Sequence, residues 1–204
     1  MGVRQIGARV QRVEDENLIR GDGKYLDDIQ LPNMAYVAFL RSSMAHAKIN
    51  ISDITKAKSM PGVFEVFTYQ TLPSSLVSKT QLETYPAPII KQSMCPDLLA
   101  NEEVAHVGQA IAMVVASSRH IAEDACELIE VEYTALKPII DVLKAAEPDS
   151  ELTHSNLKDN IAASIEAKFG DVETAFSESD DTLKLTFKQH RGGCHAMECR
   201  GVLG

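Results

Sequence analysis

The sequence predicts an α+β fold, and three consecutive stretches carry that expectation. Residues 110–116, AIAMVVA, form an unbroken apolar run, as in a strand buried on both faces. Apolar residues then recur at helical spacing: Ile121, Ala122, Ala125, Leu128 and Ile129 share one face, with Glu123, Asp124 and Glu127 opposite. From Ile129 the period shortens to two. Ile129, Val131 and Tyr133 fall on one side of a strand, and Glu130 and Glu132 on the other. A crossover helix between two strands implies that both strands lie in one sheet, with the helix packed on its face. Ser117 and Ser118 supply hydroxyls for the helix start, and Glu123 and Asp124 are expected near the positive end of its dipole.

In chain order, residues 1–24 are polar and broken by Gly2, Gly7, Gly21 and Gly23, which predicts an extended arm and a turn at Gly21-Asp22-Gly23. This Gly-x-Gly is no phosphate loop, because no strand precedes it and no helix is expected after it. A strand is predicted over 36–40, leading into Arg41-Ser42-Ser43. A short helix over 53–60 follows, capped by Ser52 or Asp53 and ended by Pro61-Gly62. Val63, Val66 and Phe67 then mark another strand, completing a second strand–helix–strand unit. Residues 69–103 contain Pro73, Pro86, Pro88 and Pro96 and hold no period, so they are expected to wrap a sheet edge or meet a partner. Residues 137–168 are a second irregular, acidic stretch and read as a linker. A short helix starts at Gly170-Asp171 and runs through Phe176. After it, Leu183, Leu185 and Phe187 alternate with Lys184, Thr186 and Lys188, the pattern of a strand with one apolar face. Left uncovered, that segment is expected to fray, self-associate or dock. Ending on Val202-Leu203-Gly204, inside an apolar run, is an unusual finish for a domain.

Composition narrows the function classes. The 204 residues, 45% hydrophobic and 24% charged, are ordinary for a globular protein. A net charge of −9 argues against a nucleic-acid or anionic-membrane surface, since phosphates call for a basic patch. There is no run of eighteen apolar residues to span a membrane and no apolar signal core near the N-terminus. Cys95, Cys126, Cys194 and Cys199 are scattered rather than dense, which makes a reducing cytoplasm the expected location.

The candidates for chemistry are few. His190, Cys194, His195 and Cys199 are four soft-metal ligands within ten residues. However, Gly192-Gly193 disfavours the helix that would align them, and no Cys-x-x-Cys accompanies them, so they are assigned as ordinary loop residues. His46 and His106 flank apolar segments, where a hydrogen-bonded structural histidine is expected. Asp27-Asp28 and Glu102-Glu103 are adjacent pairs whose side chains diverge on any regular element, so solvated surface is expected in place of acid–base catalysis.

Several separated motifs occur in a familiar order. They are Arg12-Val13-Glu14-Asp15, Gly21-Asp22-Gly23-Lys24-Tyr25 with Asp27-Asp28-Ile29, and Arg41-Ser42 leading to Ala45-His46-Ala47. Pro61-Gly62-Val63, His106-Val107-Gly108-Gln109 and Ala122-Glu123-Asp124-Ala125 follow. Gln189-His190-Arg191 and Met197-Glu198-Cys199-Arg200-Gly201 come last. Together these resemble the opening of molybdenum hydroxylase large subunits, the family of aldehyde oxidase, xanthine dehydrogenase and aerobic carbon monoxide dehydrogenase. The resemblance implies an N-terminal arm over 1–19, an α/β hammerhead domain over 20–136 and a linker over 137–164. Residues 165–204 would then be the truncated start of a molybdopterin-binding domain. Two departures stand out: Cys199 replaces the family's usual proline, and Cys194-His195 replaces a more neutral pair.

The family's glycine-rich pterin segments, its glutamine near the metal and its glutamate base have no counterpart in these residues. No position is therefore assigned a catalytic, cofactor-binding or metal role, and Gln109 and Glu198 are expected to be structural. The resemblance implies a fragment or split subunit of an oxidoreductase that hydroxylates an aldehyde, N-heterocycle or related small molecule with oxygen from water. Alone, this chain is expected to be inert and to hold no cofactor. In the complete enzyme, molybdopterin–molybdenum would serve with iron–sulfur clusters and FAD on other domains or subunits. The implied partners are the remaining large-subunit portion and the iron–sulfur and flavin subunits. A non-enzymatic hammerhead scaffold is the competing reading.

Overall fold

A computed structural model describes residues 7–77, 89–92, 96–190, 192–193, 195–196 and 198–204. Gly2, Pro86, Pro88, Cys95, Arg191, Cys194 and Met197, invoked above, lie outside the described residues. The chain divides into one unit over 35–172 and another that joins the N-terminal residues through Met34 to residues 173–204.

The larger unit holds two three-stranded sheets. In the first, β5 (Ala110–Ala116) lies between β1 (Tyr36–Arg41) and β3 (Val63–Thr68). In the second, β2 (Ala47–Asp53) lies between β4 (Glu103–Val104) and β6 (Glu130–Ala135). All pairings are antiparallel. The period-two pattern of 129–133 forms a strand as expected. The expectation that β5 and β6 share a sheet is overturned: β1 and β3 occupy both edges of β5, so the returning chain pairs with β2 instead.

The helix between them, α4 (Arg119–Glu127), packs on the first sheet. Ser118 caps it, its hydroxyl accepting the Ile121 N–H. Ala122 and Ala125 are fully buried, and such small side chains let the helix approach Ala112, Val114 and Ala116 of β5 closely. Two local expectations fail. The helix ends at Glu127, so Leu128 turns out to solvent at 38% exposure, and Cys126 takes the buried place. Burial, then the neighbouring Glu123 charge, pushes the Cys126 thiol up to about 11. Glu123 and Asp124 also lie past the first turn, beyond the reach of the dipole's positive end.

Strand β5 belongs to both cores. Its even-numbered residues Ala112, Val114 and Ala116 join Val66, Ala57 and the α4 alanines. On its other face Ile111 joins Ala47, Ile49 and Val104 from the second sheet and Ala100 from the stretch before β4. The alternation of a strand's side chains thus puts one apolar run into two packed clusters.

Strand β2 was not anticipated, although Ala47, Ile49 and Ile51 alternate with Lys48, Asn50 and Ser52. The helix expected at 53–60 is shorter, α2 (Thr55–Ser59), because β2 runs through Asp53. Asp53 still serves its start, accepting the Thr55 N–H at 2.8 Å. The 69–103 stretch contributes a one-turn α3 (Ser74–Val77), and Ile90 forms a bridge with Ala163. Residues 137–168 are irregular but tied to this unit: Asn160 donates to the Ala145 and Glu151 carbonyls, and the Lys91 N–H to Ala162.

In the smaller unit, the extended arm expected over 1–24 instead contains α1 (Asp15–Arg20). Gly21 ends it at φ 77°, and the N–H groups of Gly21 and Asp22 satisfy the carbonyls of Leu18 and Asn17. Asp15 and Glu16 in the first turn and Arg20 in the last suit the helix dipole. The helix after Gly170-Asp171 forms as α5 (Val172–Ser177). The strand expected around Leu183, Leu185 and Phe187 forms no ladder among the described residues. A strand requires a neighbour to hydrogen-bond with, and this segment has none there.

Candidate functional site

Two of the motifs that carried the family resemblance, Arg41-Ser42 and His106-Val107-Gly108-Gln109, meet within the larger unit. The Ser42 N–H donates to the Gln109 carbonyl at 2.8 Å, and the Gly108 N–H to the Ser42 carbonyl at 2.8 Å. The Arg41 guanidinium donates to the Gly108 carbonyl at 2.9 Å, and its charge lies 5.4 Å from the Phe39 ring centroid. Ser42 is buried, with its hydroxyl turned onto the main chain of Met44. Gln109 accepts the Ala105 N–H through its amide oxygen at 2.8 Å. A left-handed turn at Gly108, φ 87°, lets the 106–109 loop reach back to Ser42.

Beside this knot, His46 is 7% exposed. Its Nδ1 lies 3.0 Å from the Lys137 carbonyl and its Nε2 2.7 Å from Glu103 Oε1. Both ring nitrogens therefore have partners, the arrangement expected of a structural histidine. Glu103 departs from the expectation of solvated surface. It is half-buried, faces His46, and accepts the Ser155 N–H at 3.1 Å. Burial by itself would raise the Glu103 carboxyl, but the Ser155 hydrogen bond and then the His46 hydrogen bond outweigh it and hold it below the usual carboxylate range. Four segments distant in sequence are pinned together here. Nothing in the adjacency of Glu102 and Glu103 signals this, because the partner lies 57 residues away.

The remaining candidates stay apart. His190, His195 and Cys199 are exposed, and Cys194 lies outside the described residues. Among the described residues no three His, Cys, Asp or Glu side chains are grouped to hold a metal ion. Glu198 Oε1 accepts the Leu26 N–H at 2.7 Å, while the Leu26 side chain lies against Gly201, so that a Cβ there would push the Leu26 tip aside. Asp28 accepts the Tyr25 N–H at 2.9 Å. A cleft of about 590 Å³ opens along β2, lined by Asn50, Asp53, Thr68, Gln70, Asn101 and Glu102 among others. The Thr55 side chain, then its backbone N–H, hold Asp53 below the usual carboxylate range.

This fold of two antiparallel sheets and a crossover helix, with the motif knot at its end, is the hammerhead architecture. The sequence model described as "Aldehyde oxidase and xanthine dehydrogenase, a/b hammerhead domain" matches residues 20–137, and the chain belongs to that family. The nicotine 6-hydroxylase large subunit of Paenarthrobacter nicotinovorans is 36% identical over 97% of this chain and 24% of its own length. The carbon monoxide dehydrogenase large chain of Afipia carboxidovorans is also 36% identical, over 91% of this chain and 24% of its own. A crystal structure of the Cu,Mo-CO dehydrogenase superposes with a TM-score of 0.63 at 36% identity, covering 85% of this chain and 22% of that one. The chain thus spans about a quarter of the length of the relatives it matches.

The family implies a molybdenum–pterin group, and the cleft does not fit one. The group's phosphate is anionic, whereas the cleft presents Asp53 and Glu102 and, among the described residues, is lined by no Lys or Arg. Among the described residues, no helix is long and apolar enough to cross a membrane.

Proposed function

We propose that these residues are the hammerhead portion and the start of the cofactor-binding portion of a molybdopterin-dependent oxidoreductase large subunit. That enzyme hydroxylates an aldehyde, an N-heterocycle or a related small molecule with oxygen from water. One observation carries the reading: the match to a nicotine 6-hydroxylase large subunit covers 97% of this chain. It therefore runs beyond the hammerhead match at residue 137 and through most of residues 165–204. The molybdenum–pterin group, when bound by the rest of the subunit, supplies the oxidising centre. This chain's own residues act as a scaffold. Ser42, His46, Glu103 and Gln109 fix the loops at one end of the two sheets, and Glu198 and Gly201 hold the Leu26 turn. Residues 137–164 connect the hammerhead to the cofactor-binding portion. The partners are the rest of the large subunit and the iron–sulfur and flavin subunits, in the cytoplasm.

On this reading the 204-residue chain alone is inert. The test is molybdenum analysis of the purified chain, with dye reduction by aldehydes, purines and nicotine. Neither metal nor turnover is expected from the chain alone, and both are expected when it is co-expressed with the remaining large subunit and its partner subunits. Stoichiometric molybdenum in the chain alone would overturn the assignment of its role.

A further inference from the structure

His46 and Glu103 grip residues 137–155 at both ends. His46 Nδ1 lies 3.0 Å from the Lys137 carbonyl oxygen, and both Glu103 carboxylate oxygens accept the Ser155 N–H, at 3.1 and 3.3 Å. The two grips are joined by the 2.7 Å contact between His46 Nε2 and Glu103 Oε1. Between them the strap holds itself together. Lys137 pairs with Glu151 at 3.2 Å, and Asn160 accepts the Thr153 N–H at 2.8 Å. Farther along, the chain is fastened separately: the Ser164 N–H donates to the Ile89 carbonyl at 3.0 Å, and the Lys91 N–H to the Ala162 carbonyl at 2.8 Å.

The partners fix the protons at the His46 junction. A main-chain carbonyl can only accept, so Nδ1 carries a hydrogen. A neutral ring would then leave Nε2 bare, and a bare nitrogen is not held 2.7 Å from a carboxylate oxygen unless a proton lies between them. Despite burial, the Ser155 and then the His46 hydrogen bonds hold the Glu103 carboxyl below the usual carboxylate range, which leaves that proton on the ring. The other charged or titratable groups on the converging elements are turned elsewhere. Lys48, opposite Glu103 in the β2–β4 register, is exposed, and Glu102 lines the cleft along β2. The Lys137 ammonium goes to Glu151, and His154 Nδ1 lies 3.2 Å from Thr153 Oγ1.

We propose that His46 and Glu103 form a proton-dependent latch: with both ring nitrogens protonated the pair clamps residues 137–155 onto the hammerhead, and loss of the Nε2 proton as pH rises releases the Ser155 end. Without that proton a nitrogen lone pair faces the carboxylate, Glu103 turns away, and the Ser155 N–H loses its acceptor. The stabilisation belongs to the protonated ring, so it is present at lower pH and is lost as pH rises through the ring's titration in the folded chain. The inference stands apart from the proposed function, because the whole junction lies within the unit over 35–172.

The full 204-residue chain, labelled with nitrogen-15, is titrated upward from about pH 6 while the His46 ring nitrogens and main-chain amide exchange are followed by nuclear magnetic resonance. Both ring nitrogens should start protonated. Loss of the Nε2 proton and loss of Ser155 amide protection should fall at the same pH, with protection dropping by about tenfold or more relative to Ile111–Ala116. The Ser164 amide, held by Ile89, should keep its protection through that step. Glu103→Gln introduces an amide that can donate to a bare Nε2 while its oxygen accepts the Ser155 N–H, so in that variant Ser155 protection should stay level across the titration. A bare Nε2 in the parent while Ser155 is protected overturns the latch. So does Ser155 protection that survives loss of the ring proton, or that falls together with Ser164, or that still titrates in Glu103→Gln. If that variant does not fold, the coincidence of the two titrations in the parent decides.

Discussion

Replacing Gly62 by alanine tests how tightly the start of α4 is fitted to the turn before β3. Gly62 adopts φ 92°, a left-handed conformation that costs an L-residue roughly 1–2 kcal/mol. A Cβ there would stand 2.8 Å from Ile121 Cδ1 and 2.8 Å from Ser117 Oγ. Both atoms are side-chain tips, so each can retreat by leaving its rotamer, at about 0.5–1.5 kcal/mol. Neither can do so freely. Ser117 is held by its N–H to the Gly62 carbonyl at 2.9 Å, and Ile121 packs against the core beneath α4. The expected loss for Gly62→Ala is therefore about 2–5 kcal/mol, a large share of the roughly 5–15 kcal/mol available to a domain. Gly108→Ala is the control: its φ is 87°, but a Cβ there would meet nothing within 4 Å. It should lose only the backbone share, about 1–2 kcal/mol. Urea unfolding followed by far-ultraviolet circular dichroism at one pH measures both. Equal losses for the two variants would refute the claim that contact with Ile121 and Ser117 sets the cost at Gly62.

Two further outcomes follow from the buried polar and thiol groups. The folded Glu103 carboxyl lies below its ordinary value, so its contribution is complete above that value, near pH 4.3, and is lost as pH falls through the folded value. Glu103→Gln should cost on the order of 1.5–3 kcal/mol at pH 7 and lose less stability than the parent between pH 5 and 3; parallel pH profiles would contradict the pairing with His46 and Ser155. With its thiol pushed up to about 11 by burial and the Glu123 charge, Cys126 should alkylate at pH 8 at least about 100-fold more slowly than exposed Cys199. Peptide mass spectrometry reads the two sites, and comparable rates would show that α4 opens readily.

The sequence by itself determined the elements whose neighbours are local. The apolar run of β5, the Ser118 cap of α4 and the alternation in β6 are each written within a dozen residues, and all three formed where expected. The separated motifs from Arg12-Val13-Glu14-Asp15 to Met197-Glu198-Cys199-Arg200-Gly201, taken in order, carried the family resemblance. Strand β2 carried the same kind of signal in Ala47, Ile49 and Ile51 and could have been read from it. Only the tertiary structure decided which strands pair. Periodicity reports which side of an element is buried and is silent about the element that buries it, so β6 could join β2 instead of β5. For the same reason the His46–Glu103 contact was invisible in sequence, since 57 residues separate the partners and only the β2–β4 pairing brings them together. Leu183, Leu185 and Phe187 show the limit from the other side. Their pattern is that of a strand, but a strand exists only where a second chain segment supplies its hydrogen bonds, and within the described residues none does.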